Sequence, residues 1–481
     1  MKKIAIISIV FFMFSSCADW VDVEPRSEVR DKKLFEDETG FRNALLGVYN
    51  LLGDENLYGD KFTLSFLDVL AQYFDITEAQ HSFFYVSKYD FSNTTARGYI
   101  EGAWKAAYTT IANINNLLAN IDDVDADFFR DKRTYNLIKG EALALRAHVH
   151  FDILRLVAPP CKNSADAKAI PYVDKFQRTP FKQLTVAGVL KHCLEDLNAA
   201  LSLLHESDPI SPVFEVYSDG EWGRGLPEDA TLDNGFFYYR DARMNYLATL
   251  TLKGRVCLYM EDYEAAAKAT EEVLTSERVD LGSAAIFTLY KSNMTRIANT
   301  YFSGGMTGNT YLVQTQEKVQ VDYEISTYGS TDLRMLNYFK NSTSAGASYR
   351  TVAKYSVDNQ FVMPGFPIIS GSEAAYIYAE ASLKLGFKEK AVKVLNDVRE
   401  KFGLGNSPLD VDLSEAQVLS EIVKEYRKRF PGEGQTFFCY KRLGYESSEI
   451  PNAPGIQMSE VYNLLEYLPV NEFEYGQIET K

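Results

Sequence analysis

The sequence predicts a mostly α-helical protein in which pairs of helices of the tetratricopeptide type form a scaffold that supports an irregular, loop-rich lobe. Long segments in which apolar and small residues recur every three or four positions predict the helices. Two segments, near 238–274 and 372–402, each predict a helix, a short turn and a second helix. Two others, 206–237 and 284–367, lack periodicity and are rich in Gly, Ser, Asn, Thr and Tyr, so they predict the lobe.

The N-terminal residues have the form of a secretory signal. Two lysines precede an apolar run over 4–14, which is shorter than the roughly 18 residues of a membrane-spanning helix. Cys17 follows a pair of serines, which is typical of a lipoprotein signal that is cleaved before an acylated cysteine. An ordinary signal peptide with a chance cysteine is the alternative. The predicted organisation is a signal peptide over 1–16, a lipid on Cys17, a flexible leader over 17–32 and a single domain over 33–481.

Apolar periodicity predicts the helices in order along the chain. A first helix begins near Thr39, and others cover 97–120, 131–157 and about 185–205. The two helices within 97–157 form a first pair. The helix over 131–157 is apolar on so wide an arc that we expect it to be buried between neighbours, and two prolines end it.

The two later helical pairs share a spacing of small residues. Gly254 and Ala266 are twelve residues apart, and so are Ala379 and Ala391. Small residues at both positions let two antiparallel helices approach closely across a short turn, which favours a tetratricopeptide-type repeat. Unrelated helical hairpins are the alternative, because any such hairpin favours small residues where its helices cross.

Charge and cysteine usage exclude some kinds of partner. The net charge is −16, and cleavage of the signal would make the chain more acidic, so we expect no nucleic-acid partner. The remaining cysteines lack the spacing of metal ligands, so we assign no metal ligands and predict no cofactor, while the presence of a structural metal ion stays open. Cys193 and Cys257 fall within helical patterns and are predicted to be small core residues. The disulfide state stays open for all four: Cys161, Cys193, Cys257 and Cys439.

Aromatic residues in polar surroundings are the candidate ligand contacts. The chain has 31 Tyr and 30 Phe, and sugars bind to flat aromatic faces together with amides and hydroxyls. Trp222 is a candidate because an exposed Trp in a Gly-rich turn is costly unless it is used. For each candidate, packing against the scaffold is the commoner role. The others lie in two regions: Phe84, Tyr85, Tyr89 and Asn93 in the first, and Tyr301, Phe302, Asn309 and Tyr311 in the second.

Catalytic patterns are few. The five histidines form no HExxH motif, and the chain has no GxSxG motif or phosphate-binding glycine loop. Glu141, His148, Asp152 and Arg155 share one stripe of the 131–157 helix, where a buried ion network is the commoner explanation. We therefore predict that the protein is not an enzyme. Paired carboxylates for glycoside cleavage are the alternative.

Several motifs follow one another along the chain. Two helical segments have the sequences YIEGAWKAAYTTIANINNLL and GEALALRAHVHFDILRLVAPP. Asp332 and Arg334 form an Asp-x-Arg, Lys354 precedes a tyrosine, and EIVKEYRKRFPGEGQTFFCYKRLG lies near the C-terminus. In this order the motifs resemble the SusD/RagB family of nutrient-binding outer-membrane lipoproteins of Bacteroidetes, and the resemblance covers nearly the whole chain.

The resemblance implies a helical scaffold with an irregular lobe, held on the outer leaflet. Such proteins bind glycans, or occasionally peptides, over the mouth of a SusC-like TonB-dependent transporter. The resemblance also implies that ligand contacts come from the loop before the 97–120 helix and from the lobe, without fixing which residues make them. The leading hypothesis is a cell-surface lipoprotein that binds an oligosaccharide without cleaving it and delivers it to such a transporter. A peptide or other nutrient receptor, a surface glycan hydrolase and a structural tetratricopeptide adaptor are the alternatives.

Replacement of the acylated residue tests the membrane tether. Cys17→Ala is expected to release the protein from the membrane fraction, because the lipid supplies the attachment. Immunoblots of separated membrane and soluble fractions measure the release. Cys161→Ala, which leaves the signal intact, is the control and should stay in the membrane fraction. Retention of the Cys17→Ala protein would show that contacts other than the lipid hold it.

Overall fold

The computed structural model of the chain describes residues 33–177, 179–213, 236–282, 285–290, 292–302, 310–344, 347–355, 365–476 and 478–479. Three of the predicted positions, Cys17, Trp222 and Asn309, lie outside the described residues, as do the signal peptide and the leader.

Helices make up most of the described chain, which confirms the predicted mostly helical fold. Single turns of 3₁₀ helix lie at Ala126–Phe128, Arg240–Ala242 and Leu465–Tyr467. In chain order the α-helices are α1 (Glu38–Leu52), α2 (Phe66–Leu70), α3 (Phe84–Ser87), α4 (Thr94–Asp122), α5 (Lys132–Val157), α6 (Val186–Ser207), α7 (Tyr246–Tyr259), α8 (Tyr263–Leu274), α9 (Ser292–Phe302), α10 (Gln316–Asp322), α11 (Ile325–Tyr328), α12 (Leu333–Tyr338), α13 (Gly371–Lys384), α14 (Lys388–Lys401), α15 (Glu415–Arg429), α16 (Gln435–Leu443), α17 (Met458–Val461) and α18 (Val470–Glu474).

Short strands form three antiparallel sheets in the described residues. β1 pairs with β2, β3 pairs with β7, and β6 lies between β4 and β5. Most of these strands fall within 284–367, so this segment, for which the sequence shows no periodicity, contains strands and short helices between its loops. The strands are β1 (Lys168–Pro171), β2 (Gln183–Thr185), β3 (Ala285–Tyr290), β4 (Gln314–Thr315), β5 (Phe339–Ser344), β6 (Ala347–Val352) and β7 (Gly365–Ser370).

Capping side chains decide where two of the predicted helices begin. α4 begins at Thr94, before the predicted position 97, because the Asn93 side chain caps its first turn. α7 begins at Tyr246 rather than near 238, because residues 240–242 form a 3₁₀ turn and Asn245 caps the helix. The boundaries of these helices therefore depend on polar side chains that interrupt or precede the apolar pattern.

The longer helices pack one upon the next. α4 packs on α5, α5 on α6, α6 on α7, α7 on α8 and α8 on α13, which also contacts α14 and α15. Gly254 of α7 lies so close to α8 that an added Cβ would be 2.6 Å from Thr270 Cγ2. Ala266, Ala379 and Ala391 are fully buried. Small residues thus stand at close helix contacts, and the tetratricopeptide type of these pairs stays a prediction.

Helix α5 lies at the centre of the helical layer. Every residue from 140 to 157 is buried, as its wide apolar arc predicts. Its charged residues are paired: Arg146 donates two hydrogen bonds of 2.7 Å to Asp196 of α6, and Asp152 accepts from Arg155 and from the Tyr58 hydroxyl. The buried ion network predicted for this helix is therefore present.

Glu141 of α5 is the centre of a second buried network. Its carboxylate accepts hydrogen bonds from the Tyr49 hydroxyl (2.6 Å), Arg240 Nη1 (2.6 Å) and Arg243 Nε (3.0 Å). Arg240 also donates to both oxygens of Asp208, at 3.0 and 2.8 Å. Burial lowers the pKa of Arg240, but the two carboxylates more than offset this, so the pKa is raised and the guanidinium stays charged. We call Glu141, Asp208, Arg240, Arg243 and Tyr49 the Glu141 network.

The cysteines of the described residues are free thiols. Cys193 and Cys257 are buried, which confirms that they are small core residues. Cys439 is buried as well, and Cys161 is half-buried. Burial raises the pKa of the Cys257 and Cys439 thiols to about 12, so neither is a thiolate at neutral pH.

Removal of the central carboxylate tests the Glu141 network. Glu141→Ala is expected to lower the free energy of unfolding by about 3–5 kcal/mol, because it leaves the buried Arg243 without its carboxylate and Arg240 with Asp208 alone. Urea-induced unfolding measures the change. Asp397→Ala is the control: it removes an exposed partner of Lys393 on α14 and should cost about 0.5 kcal/mol or less. Equal losses in the two variants would contradict a structural role for Glu141.

Candidate ligand-binding surface

The two aromatic regions predicted from the sequence meet in the structure. His81 Nε2 lies 2.8 Å from the Tyr311 carbonyl, and the Phe83 and Tyr301 rings are 6.0 Å apart. The Asp75 backbone N–H donates to the Val313 carbonyl at 2.8 Å. The loop before α4 therefore forms one surface with the end of α9 and with residues 311–313 of the lobe. We call its half-buried rings, Phe84, Tyr85, Tyr99 and Tyr311, the aromatic patch.

Three predicted contacts belong to the exposed side of this surface. Phe84 and Tyr85 lie on α3 with their rings perpendicular and 5.4 Å apart. Together with Tyr311 they are half-buried, so part of each ring is open to a ligand. Their role as ligand contacts stays a prediction.

Four other predicted residues support the patch instead of presenting a face to a ligand. Tyr89 is buried, and its hydroxyl donates to the Leu70 carbonyl at 2.8 Å. Tyr301 is buried, and its hydroxyl donates to Asp60 Oδ2 at 2.8 Å. The remaining two are Phe302, whose buried ring packs 6.1 Å from that of Phe74, and Asn93, whose side chain caps α4.

A buried ion pair lies beneath the aromatic patch. Lys61 pairs with Asp60, and its Nζ is 3.4 Å from the Tyr301 hydroxyl. The same ammonium lies 5.4 Å from the Tyr99 ring centre and 5.6 Å from that of Phe83, within the range of cation–π attraction. Burial raises the pKa of Asp60, although Lys61 and the hydrogen bonds act to lower it. The patch therefore packs on a polar cluster formed by Asp60, Lys61 and the Tyr301 hydroxyl.

A groove that the sequence did not reveal lies between α1, β3 and the segment 236–243. Its cavity volume is about 630 Å³, within the range of small-molecule sites. Three of its large apolar side chains are exposed: Tyr239 by 73%, Leu46 by 56% and Tyr290 by 46%. Polar groups line it as well, namely Asn43, Asn50, Arg42 and Arg243. We call this feature the tyrosine groove.

The wall of the tyrosine groove is anchored from beneath. Arg243 donates to the Phe236 carbonyl at 2.5 Å, and its guanidinium lies 4.0 Å from the Phe236 ring centre. Arg42 lies 4.7 Å from the same ring. Arg240, one residue after Tyr239, is fixed in the Glu141 network. The tyrosines of this wall therefore stand on a backbone that buried charges hold in place.

Tyr239 has a backbone conformation that tyrosine rarely adopts. Its φ is +52°, in the left-handed region, which costs a residue with a Cβ roughly 1–2 kcal/mol. Such residues persist where the surroundings determine the backbone, and they cluster at ligand sites. The buried Arg240 follows Tyr239 directly and holds the backbone there. Tyr239 also carries the most exposed of the three exposed apolar side chains of the groove.

One sequence feature could have indicated this groove. Four aromatic residues in succession, from Phe236 to Tyr239, span the end of the segment 206–237 and come just before the RDAR sequence. Periodicity could not separate them from the surrounding loop, because only one of the four is buried and the other three are half-buried or exposed. A run of aromatic residues next to closely spaced arginines is thus the pattern that would have found the groove.

The histidines of α5 belong to the core. His148 is stacked on Tyr58 at 4.9 Å, and burial lowers its pKa to about 4. His150 lies between the Arg146 carbonyl and the Val173 N–H, each at 2.9 Å, and burial lowers its pKa to about 3. Both rings are neutral at pH 7 and act in packing.

Across the described ranges, no group of three or more His, Cys, Asp or Glu side chains is placed to hold a metal ion. Nor does any helix within those ranges combine the length and hydropathy needed to cross a bilayer.

Two family models match the chain in succession. One, described as starch-binding associating with outer membrane, covers residues 19–214, and the model of the SusD family covers residues 287–466. The chain belongs to the SusD family. The motif residues that carry the SusD resemblance lie in the buried pairs described above, such as Glu141, Arg146 and Asp152.

Solved structures have the same SusD fold at low sequence identity. A SusD superfamily protein from Bacteroides thetaiotaomicron has a TM-score of 0.66 at 20% identity, covering 92% of this chain and 95% of its own. A SusD-like carbohydrate binding protein from Bacteroides vulgatus has a TM-score of 0.68 at 16% identity, with 92% and 97% covered. The surface glycan-binding protein A from Bacteroides thetaiotaomicron has a TM-score of 0.66 at 16% identity, with the same coverage.

A SusD-like protein, P25, from Formosa agariphila is similar in sequence. It is 27% identical over 133 residues, which are 26% of this chain and 25% of that protein. The chain thus matches about a quarter of the length of this curated SusD relative.

Substitution of the strained tyrosine tests the geometry of the groove wall. Tyr239→Gly is expected to stay within about 1 kcal/mol of the wild type, because glycine adopts a positive φ at no steric cost. Tyr239→Val should be less stable than the glycine variant by roughly 1–2 kcal/mol, because a Cβ is unfavourable there. Urea-induced unfolding of both variants measures the difference. Equal stabilities would show that the backbone relaxes and is not held by the Glu141 network.

Proposed function

We propose that this protein is a cell-surface lipoprotein that captures an oligosaccharide in the tyrosine groove and delivers it to a SusC-like TonB-dependent transporter of the outer membrane. The observation that carries the proposal is a concave groove of about 630 Å³ in which exposed tyrosine rings stand beside side-chain amides. Aromatic faces stack on the apolar faces of sugar rings, and amides bind their hydroxyls.

The anchoring of the groove suits the capture of a flexible, well-hydrated ligand. Binding loses affinity when side chains and loops must be ordered at the same time as the ligand. In the groove, Arg240 fixes the backbone after Tyr239 and Arg243 holds the Phe236 carbonyl before it, and Asn43 and Asn50 stand on helix α1. The ordering cost therefore falls mainly on the saccharide.

The groove supports binding without cleavage. Glycoside hydrolysis uses two carboxyl groups that flank the scissile bond. The described side chains that line the groove are aromatic, aliphatic, amide, hydroxyl and guanidinium groups. We therefore propose that the protein is not an enzyme and needs no cofactor for this function.

The family supports the remaining parts of the proposal. One matching family model is described as starch-binding and outer-membrane-associated, and two proteins of similar fold are named for carbohydrate or glycan binding. A lipid on Cys17 would hold the protein at the outer-membrane surface, and the resemblance to SusD supports a SusC-like partner there. An acidic chain of net charge −16 gives no reason to expect nucleic acid there.

Two substitutions in the groove test saccharide capture. Tyr239→Asn, which tolerates a positive φ, and Tyr290→Ala are each expected to weaken glycan binding at least tenfold, or about 1.4 kcal/mol, through loss of a stacking face. Affinity electrophoresis against a panel of polysaccharides, followed by calorimetry, measures binding. Tyr475→Ala is the matched control, because this tyrosine is 75% exposed and does not line the groove.

Three outcomes would contradict the proposal. Saturable binding of peptides with no response to any glycan would favour a peptide receptor. Release of products from a labelled glycan by purified protein would favour a hydrolase. Unchanged glycan affinity in both groove variants would place the binding surface elsewhere on the molecule.

A further inference from the structure

Two chain segments connect the tyrosine groove with the aromatic patch. The first leaves the groove at Gly53 and reaches Lys61, whose ammonium lies over the Tyr99 ring of the patch. The second leaves the groove at Tyr290 and continues through α9 to Tyr301, which packs against Phe83 beneath the patch. The same two segments, 53–61 and 290–301, therefore contribute to both surfaces.

Helix α9 runs from the segment that lines the groove to the segment that packs beneath the patch. This helix has 11 residues, and at 1.5 Å per residue it spans about 16 Å. Tyr290 precedes the helix and lines the groove, whereas Tyr301 is its penultimate residue. Tyr290 and Tyr301 thus stand at opposite ends of a helix about 16 Å long.

Both connecting segments carry exposed polar and charged side chains. Glu55, from the first segment, and Arg296, from α9, are both exposed and form an ion pair of 3.5 Å. Asn299 and Thr300 of α9 are exposed as well. A saccharide that lies along these segments meets charged and hydrogen-bonding side chains, which can bind its hydroxyl groups.

We infer that the tyrosine groove and the aromatic patch bind two parts of one saccharide chain, so that the ligand is an oligosaccharide long enough to extend over about 16 Å. The inference rests on the proposed function, since it names the length class of the saccharide that the groove takes. It also gives the predicted residues Phe84, Tyr85 and Tyr311 a place in binding that is separate from the groove.

Two contacts on one chain produce a characteristic dependence on chain length. Once the first part of a chain is held in the groove, binding of the second part is intramolecular and proceeds at a high effective concentration. A saccharide too short to reach the patch has the affinity of the groove alone. Affinity should therefore rise stepwise, by tenfold or more, at the length that reaches both surfaces, and change little beyond that length.

Calorimetry with graded oligosaccharides tests the inference. Series that increase from the disaccharide upward, derived from starch, cellulose, xylan and mannan, are titrated into the full-length mature protein. For a series that binds, the wild type should show the step in affinity. Tyr85→Ala should lower the affinity for the longest chains about tenfold and that for the shortest less than twofold. Tyr239→Asn should weaken both, and Tyr475→Ala should keep the step.

The possible outcomes separate the inference from the proposed function. Glycan binding whose affinity does not depend on chain length overturns the inference alone. A step in affinity that survives in Tyr85→Ala also overturns it, because the second contact is then not the aromatic patch. Failure of every series to bind the wild type overturns the proposed function as well. Unfolding midpoints of the variants equal to that of the wild type confirm that altered binding is not a consequence of misfolding.

Discussion

The buried carboxylate of Glu141 joins parts of the molecule that are far apart in sequence. It accepts hydrogen bonds from Tyr49 on α1 and from Arg240 and Arg243 just before α7, and it lies on the central helix α5. A charge in this position is stable only with all its partners present, because an unpaired buried charge costs several kcal/mol. These hydrogen bonds tie α1 to the segment 236–243, and the two together line the tyrosine groove.

Buried charges of this kind also explain why the family was easier to identify than the site. Arg334 lies between Asp332 and Glu425, and Lys354 pairs with Glu433, so the motifs that mark SusD proteins hold the scaffold together. Such residues resist substitution because each buried charge needs its partner. The surfaces proposed for the ligand use exposed rings instead. The motifs therefore identify the fold, whereas the ligand contacts can be proposed only from the three-dimensional arrangement of the exposed rings.

The helical scaffold was predictable because its determinants are local. Periodic apolar residues gave α1, α4, α5 and α6, and small residues at Gly254 and Ala266 gave the close pairing of α7 with α8. The candidate surface depends on contacts between distant segments, such as His81 with Tyr311. Sequence alone named aromatic residues in both regions, but it could not tell that Tyr89 and Tyr301 use their hydroxyls within the protein. The groove was not predicted because its aromatic run has no periodic pattern and its walls come from segments far apart in sequence.

The free thiols have a consequence for a protein proposed to work outside the cytoplasm. Exported chains fold where thiols tend to be oxidised to disulfides. Exchange begins from a thiolate that a partner can reach. Cys257 and Cys439 are enclosed by packed helices with their pKa near 12, and Cys193 is enclosed likewise. Once folded, the protein shields these three sulfurs from oxidants, whereas the half-buried Cys161 is less well enclosed.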